Sequence, residues 1–225
     1  MGSGPIHSLR GGPYARSMSD SLDGLTLIGD HVVLTPLRRD DHDGLCAAVR
    51  DGELWRLPYA TVPSPETMSA DIDAKLAAQA AGTLQPFVVR RADGADPTCH
   101  ASPIVGSTSF YSIDDTHRNV MIGYTWYAAS MHRTAVNTES KLLLLTHAFE
   151  AEQRVRVEFR THWLNRQSRA AIERLGATHE GALRQHQLMP DGSWRNTCVY
   201  AILAHEWPAV RAELRRRLQV STLGK

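Results

Sequence analysis

From Val155 to Thr161 apolar and charged residues alternate, with Val155, Val157 and Phe159 set against Arg156, Glu158 and Arg160. A period of two gives a half-buried strand with one apolar and one polar face. The rest of the chain reads as further short strands and helices. His31–Leu37 is a predicted strand ended by Pro36, and Asp40–Val49 a helix with acidic residues in its first turn, where the dipole favours them. Tyr59–Pro65 is a loop. A second helix is expected with Ser64 as N-cap, Pro65 at its first position and Thr67 where a capping box would want Glu, running to about Ala81 and stopped by Gly82. Strands follow at Phe87–Arg90 and Ile104–Tyr111, separated by a turn-rich insertion at Ala92–Pro97. Another strand spans Asn119–Tyr127, and a helix from about Asn137 to Phe149 carries a leucine-rich stripe that reads as core. Asn165 caps a helix through Leu175, stopped by Gly176. A hairpin joins Leu183–Met189 to Thr197–Leu203 across Pro190–Ser193, and Glu206–Leu218 closes the chain as a basic amphipathic helix.

At 225 residues the chain suits one domain with a sizeable core, or at most two small ones. The Gly-, Ser- and Pro-rich residues 1–24 stand apart and lack the apolar block of a secretory signal. They are expected to be disordered, with Met18 a second candidate start. The domain is placed at 25–218, followed by a tail at 219–225. A net charge of +1 gives no reason to expect nucleic acid or a membrane surface as partner. Three separated cysteines, Cys46, Cys99 and Cys198, fit a reducing cytoplasm and neither a disulfide framework nor a zinc site. The eleven histidines lack His-x-x-x-His and His-Glu-x-x-His spacing, so no metal is expected. Hydrolase Gly-x-Ser-x-Gly and P-loop signatures are absent from the sequence.

The chemistry concentrates where the strand Met121-Ile122-Gly123-Tyr124-Thr125-Trp126-Tyr127 meets a polar turn and then a helix. A helix start presents unpaired N–H groups and partial positive charge, which suits the pyrophosphate of a nucleotide-like cofactor. By itself the segment is equally a capped core helix.

The wording IGYTW, HRTAVNTESKLLLLTHAFE, NRQSRAAIERLGA, EGALRQH and PDGSWRNT falls in the order of one known group. It resembles the GNAT acyltransferases, in the subgroup of RimJ/RimL-like ribosomal-protein N-acetyltransferases, over nearly all of the ordered chain. The resemblance implies an α+β GNAT fold. Its mostly antiparallel mixed sheet of about seven strands has flanking helices and splays between Asn119–Tyr127 and Val155–Thr161 to form an acyl-CoA cleft. It also implies acetyl-CoA as donor, CoA as product and an amine as acceptor. Cofactor contacts then map to Trp126, Tyr127, Arg133, Thr134, Ala135, Val136, Asn137 and Thr138, with backbone N–H groups near Trp126 and Tyr127 as oxyanion donors. Ala135 and Asn137 stand where the family usually has glycine. Alanine at 135 costs about 1–2 kcal/mol if φ there is positive and nothing if it is negative.

In the resembling enzymes an Asn-x-x-Ser pair matching Asn165 and Ser168 faces the donor, the Asn amide on the pantetheine arm and the Ser hydroxyl by the sulfur. Asn165 would serve equally as a helix cap. Trp55, Tyr59, Tyr111 and Tyr124 are candidate walls of the acceptor pocket. The family's candidate general base, a Glu, falls here at Gln187. His186 is adjacent but belongs to the opposite face unless a bulge re-aims it. The acceptor amine must then arrive neutral. An α-amine is roughly a tenth to a fifth neutral at pH 7, a lysine amine about once in a few thousand molecules. The expected activity is acetyl transfer to a primary amine, with α-amines preferred. The alternatives are a non-catalytic acyl-CoA sensor and an N-acyltransferase for an amino sugar or antibiotic. A homodimer is compatible with the sequence, which does not decide it.

Overall fold

The computed structural model describes residues 17–57, 59, 61–92, 102–189 and 191–223. Eight strands form one sheet: β1 (Leu27–Ile28), β2 (Val32–Pro36), β3 (Leu84–Arg91), β4 (Ile104–Asp114), β5 (Asn119–Tyr127), β6 (Arg156–His162), β7 (Thr178–Leu188) and β8 (Trp194–Leu203). Their spatial order is β1-β2-β3-β4-β5-β6-β8-β7. Every neighbouring pair is antiparallel except β5–β6. The helices are α1 (Met18–Ser21), α2 (His42–Arg50), α3 (Met68–Ala80), α4 (Ala135–Thr146), α5 (Arg166–Arg174) and α6 (Trp207–Leu223), and a π turn at His147–Ala151 continues α4. The expected architecture holds, with the two-residue β1 raising the strand count from seven to eight.

Paired residues share a face of the sheet, so the register sorts the side chains. Val157 with Ile202 and Phe159 with Tyr200 lie on the face covered by α4 and α6, in one core with Leu144, Leu145, Trp207 and Leu214. Val88 and Trp126 lie on the other face, packed with Leu45, Val49, Met68 and Ile72 of α2 and α3. Helix α2 leans on β4 and α3 on β3. Further along the same face, Glu158, Arg160, His162 and Thr197 lie beyond these two helices. Two faces are therefore defined: the α4 face and the α2 face.

Several boundaries differ from expectation for local reasons. Helix α3 begins at Met68, after a turn at 65–67. Thr67 nonetheless performs half of a capping box, since its hydroxyl accepts the Ser64 N–H at 2.9 Å. Gly82 ends α3 at φ +69°, and Gly176 follows α5 at φ +94°. Val155 is exposed and outside the strand, whereas Val157 and Phe159 are buried. Of the leucine stripe, Leu144 and Leu145 are fully buried while Leu142 and Leu143 only pack against the core. Residues 17–24 are not a detached tail. Met18 and Leu22 are fully buried, and the Ser21 hydroxyl donates to Glu152 at 2.5 Å. Residues 1–16, most of the 92–97 insertion, Cys99 and Pro190 lie outside the described residues. Helix α6 runs to Leu223, past the expected end at 218. Among the described residues no helix is long and apolar enough to cross a membrane.

One buried carboxylate ties the amino-terminal strands to α4. Glu139 accepts the backbone N–H groups of Asp30, His31 and Val32 at 3.0, 2.6 and 2.8 Å. A side chain at Gly29 would meet that carboxylate at 2.5 Å, so glycine is required there by proximity.

Candidate functional site

Strands β5 and β6 pair at three positions only: Asn119 with Arg156, Val120 with Val157 and Met121 with Glu158. Beyond Met121 the two part company, although β5 continues to Tyr127 and β6 to His162. A bulge helps to turn β5 away. Tyr124 has φ +51°, and the β4–β5 register shifts between Ser107 and Ser109. The separation leaves a backbone edge of β5 without a neighbouring strand. Ala128 N–H donates to Val105 O across β4, and successive residues of an antiparallel ladder point their backbone groups to opposite sides. Tyr127 therefore turns its N–H and C=O to the gap, while Trp126 turns its own towards β4. Both side chains are core, Trp126 on the α2 face and Tyr127 on the α4 face.

Helix α4 starts two residues earlier than expected. Thr134 is its N-cap, with extended backbone and a hydroxyl that accepts the Val136 N–H at 3.3 Å. Ala135 is thus the first helical residue and pays no left-handed cost. The positive φ of the loop, +62°, falls instead on Arg133, which is exposed. Val136 buries its side chain in the core. Asn137 and Thr138 lie in the first turn, where the remaining N–H groups have no partner within the helix. The loop is braced from α2, as Asp51 O accepts the Ala129 N–H at 2.9 Å and the Asp51 carboxylate accepts the Ser130 N–H at 3.1 Å. Hydrogen bonding from the Ser130 side chain and backbone holds the Asp51 carboxyl below its ordinary pKa. Open backbone edge, exposed arginine and unpaired helix-start N–H groups together fit a long donor with a phosphorylated end.

The second cluster sits at the start of α5. Asn165 Oδ1 accepts the Ser168 N–H at 2.9 Å, a capping bond, and this leaves the Asn165 carboxamide nitrogen and the Ser168 hydroxyl without partners among the described residues.

On the α2 face, Tyr111 and Tyr124 meet edge to face at 5.1 Å between ring centres. Gly123 makes room for them, since a Cβ there would lie 2.7 Å from the Tyr111 ring. Burial pushes the Tyr111 hydroxyl up to about 12. Tyr59 stands 6.1 Å from His162, whose pKa is lowered by burial and by Arg195. Trp55 packs on the α2–α3 core.

Strand β7 carries the bulge that re-aims His186. The β7–β8 register shifts between Leu183 and Gln187, and Gln185 has φ +47°. The His186 ring Nδ1 consequently lies 3.2 Å from Thr197 Oγ1 on the α2 face. Gln187 pairs with Arg195.

Three features of this region escape the sequence patterns. Glu158 is buried on the α2 face and bound on both sides, to Arg156 Nη2 at 2.8 Å and Arg160 Nε at 2.5 Å. Its lone pairs are committed to guanidinium groups. Arg195 reaches the same face and donates from Nε to Thr197 Oγ1 at 3.0 Å. Lys141, on α4, is buried with no carboxylate partner among the described residues and donates to Thr108 Oγ1 at 3.0 Å and Thr125 Oγ1 at 2.7 Å. Burial lowers its pKa to about 7. The i, i+3 and i, i+4 spacing of Lys141 to Leu144 and Leu145 was the available sign that this lysine faces inward.

Comparison with known proteins agrees with this geometry. The model of the acetyltransferase (GNAT) domain matches residues 31–178. The Bacillus subtilis (strain 168) protein YdaF, described as a ribosomal N-acetyltransferase, is 32% identical over 104 residues. That match takes in 46% of this chain and 56% of YdaF, so the chain spans little more than half of this relative's length. A T. thermophilus structure assigned as an acetyltransferase is 30% identical and superposes with a TM-score of 0.73, covering 86% of this chain and 96% of that one. Mycobacterium smegmatis RimJ, solved with a CoA disulfide, is 23% identical with a TM-score of 0.71, covering 86% and 95%. The chain belongs to the GNAT acetyltransferase family.

Proposed function

We propose that this protein transfers an acetyl group from acetyl-CoA directly to the α-amino group of a peptide, protein or small molecule. The observation that carries it is the parting of β5 and β6 beyond Met121–Glu158, beside the start of α4. The pantetheine arm, a chain of amides, can pair with the open edge of β5 as an added strand would. The pyrophosphate suits the free N–H groups of α4 and the Arg133 side chain. The GNAT domain match and the ribosomal acetyltransferase relative support the same donor and an amine acceptor.

In the reaction a neutral amine attacks the thioester carbonyl, the tetrahedral oxyanion collapses, and the CoA thiolate leaves with a proton. Tyr127 N–H, on the open edge, is suited to the oxyanion. The Ser168 hydroxyl is suited to donate towards the departing sulfur, and the Asn165 carboxamide nitrogen to a pantetheine carbonyl. Among the described residues no free carboxylate stands by on the α2 face: Glu158 is held by two arginines and Gln187 cannot accept a proton. His186 now shares that face through its bulge and is the candidate to take the amine proton.

Calorimetric titration with CoA and acetyl-CoA tests the donor assignment. Saturable one-site binding, weakened in Arg133→Glu and not in Arg215→Glu, is the expected result. No binding by the wild type overturns it.

A further inference from the structure

The α2 face beside the gap carries charge that acyl transfer does not itself demand. Arg156 bonds both Glu158, at 2.8 Å, and Glu180, at 2.6 and 2.5 Å, and Arg160 bonds Glu158. Two guanidinium groups and two carboxylates thus satisfy one another. Arg195 is the third guanidinium and stands outside this exchange. Its Nε donates to Thr197, but among the described residues its terminal nitrogens meet no carboxylate.

Its surroundings make that costly. Arg195 is partly buried, with Tyr111, Tyr124 and Arg160 close enough to act on its charge. Burial, the largest effect, disfavours the cation, and the like charge of Arg160 adds to it, while Tyr111 and Tyr124 offset only part of the cost. Arginine does not escape by losing its proton, so a partly desolvated guanidinium with an idle fork calls for an anion.

The position says which anion. The donor's phosphates belong at the start of α4, which packs on the opposite face of the sheet. Arg195 shares the α2 face with Thr197, Arg160 and the Tyr111–Tyr124 pair, the face left to an acceptor when the donor's phosphates sit at the start of α4. Resting on the transferase reading above, we infer that the acceptor is a primary amine with a carboxylate near it, and that Arg195 binds this carboxylate bidentately as a specificity-determining residue. Thr197 orients the guanidinium through Nε, leaving the terminal nitrogens for the two carboxylate oxygens. Polycationic amino sugars are disfavoured by the same charge. The carboxylate can be the side chain of an acidic residue following a free N-terminus, or the α-carboxylate of a free amino acid.

Initial rates with matched acceptors decide the matter. One set is peptides with a free N-terminus and Glu, Gln or Lys at the next two positions; the other is a free amino acid and its amide. The Glu peptide, or the free amino acid over its amide, should show kcat/KM about tenfold or more above its neutral partner, the size of a charge-assisted bond. Preference within the peptide set assigns a side-chain carboxylate; preference confined to the amino-acid set assigns the α-carboxylate. Arg195→Gln should bring the preferred ratio close to one, chiefly through KM, while rates on the neutral acceptor stay within about twofold. Arg195→Lys should restore part of the preference. Equal rates on charged and neutral members of both sets, or Arg195→Gln slowing both members equally, overturns the inference while leaving acetyl transfer standing. Acceptor titration in the presence of CoA reads the same preference without turnover. Carboxylate-dependent binding lost in Arg195→Gln, with no transfer to any amine, would keep this inference and overturn the transferase reading.

Discussion

Asn165 Oδ1 accepts the backbone N–H of Ser168 at 2.9 Å, so the residue that caps α5 also points its carboxamide nitrogen away from the cap. The two halves of one side chain can be separated by substitution. Asn165→Asp keeps the oxygen and should leave thermal stability near wild type, yet raise KM for acetyl-CoA several-fold by removing the nitrogen donor. Asn165→Ala loses both and should cost about 1 kcal/mol of stability as well. Thermal melts beside steady-state kinetics make the comparison, and unchanged KM in Asn165→Asp would reduce Asn165 to a cap.

Ser168→Ala should lower kcat more than it raises KM for acetyl-CoA. Its hydroxyl is assigned to the departing sulfur, an interaction realised in the transition state. Its backbone N–H, which serves the cap, is untouched by the change. An unaltered kcat would remove Ser168 from the chemistry.

Arg133 combines a left-handed backbone, φ +62°, with an exposed charge beside the start of α4. Glycine is at ease in that conformation, so Arg133→Gly should retain or slightly raise stability while weakening CoA binding. CoA affinity from titration should therefore fall while the melting temperature holds or rises. Loss of both together would make Arg133 a structural residue of the loop.

Lys141 predicts an unusual pH dependence. Its folded pKa, about 7, lies below the unfolded value of about 10.4. The unfolded chain then binds more protons between these values, so this group's contribution to stability rises with pH from about 7 to 10 and is least favourable below 7. Lys141→Met should stabilise the protein by about 1–4 kcal/mol at pH 6 and by less at pH 9. Thr108 and Thr125 remain 2.8 Å apart and can satisfy each other in its absence. Denaturant melts at both pH values give the answer. Destabilisation at both would show that the lysine's two hydrogen bonds outweigh its desolvation.

Periodicity located nearly every strand and helix because each has one buried face, as Val157 and Phe159 illustrate on β6. What escaped was set by tertiary pairing. The polar residues of β6 read as a solvent face, but Arg156, Glu158 and Arg160 form a bonded row on the open side of the sheet. The β7 bulge that turns His186 towards Thr197 leaves no pattern in sequence, because Gln185 is not a residue that announces a positive φ. Thr134 rather than Asn137 became the helix boundary, since a threonine with extended backbone can cap and the next residue is a good helix former. Residues 17–24 look like linker by composition, yet the buried side chains of Met18 and Leu22, with hydrogen bonds from Ser17 to Asp115 and Ser21 to Glu152, fasten them to the core.

The central claim, direct acetyl transfer to an α-amine, is tested by supplying acetyl-CoA with two matched peptides across pH 6 to 9. One peptide has a free N-terminus, and the other is blocked but carries lysine. Thiol release and mass spectrometry of the peptide are followed together. The account predicts one thiol per acetyl group added to the free N-terminus, at a rate that rises with pH through the α-amine's pKa of about 7.7–8 and levels off above it, with slower transfer to lysine. Thiol release without peptide acetylation, or faster transfer to the lysine peptide at neutral pH, would contradict it.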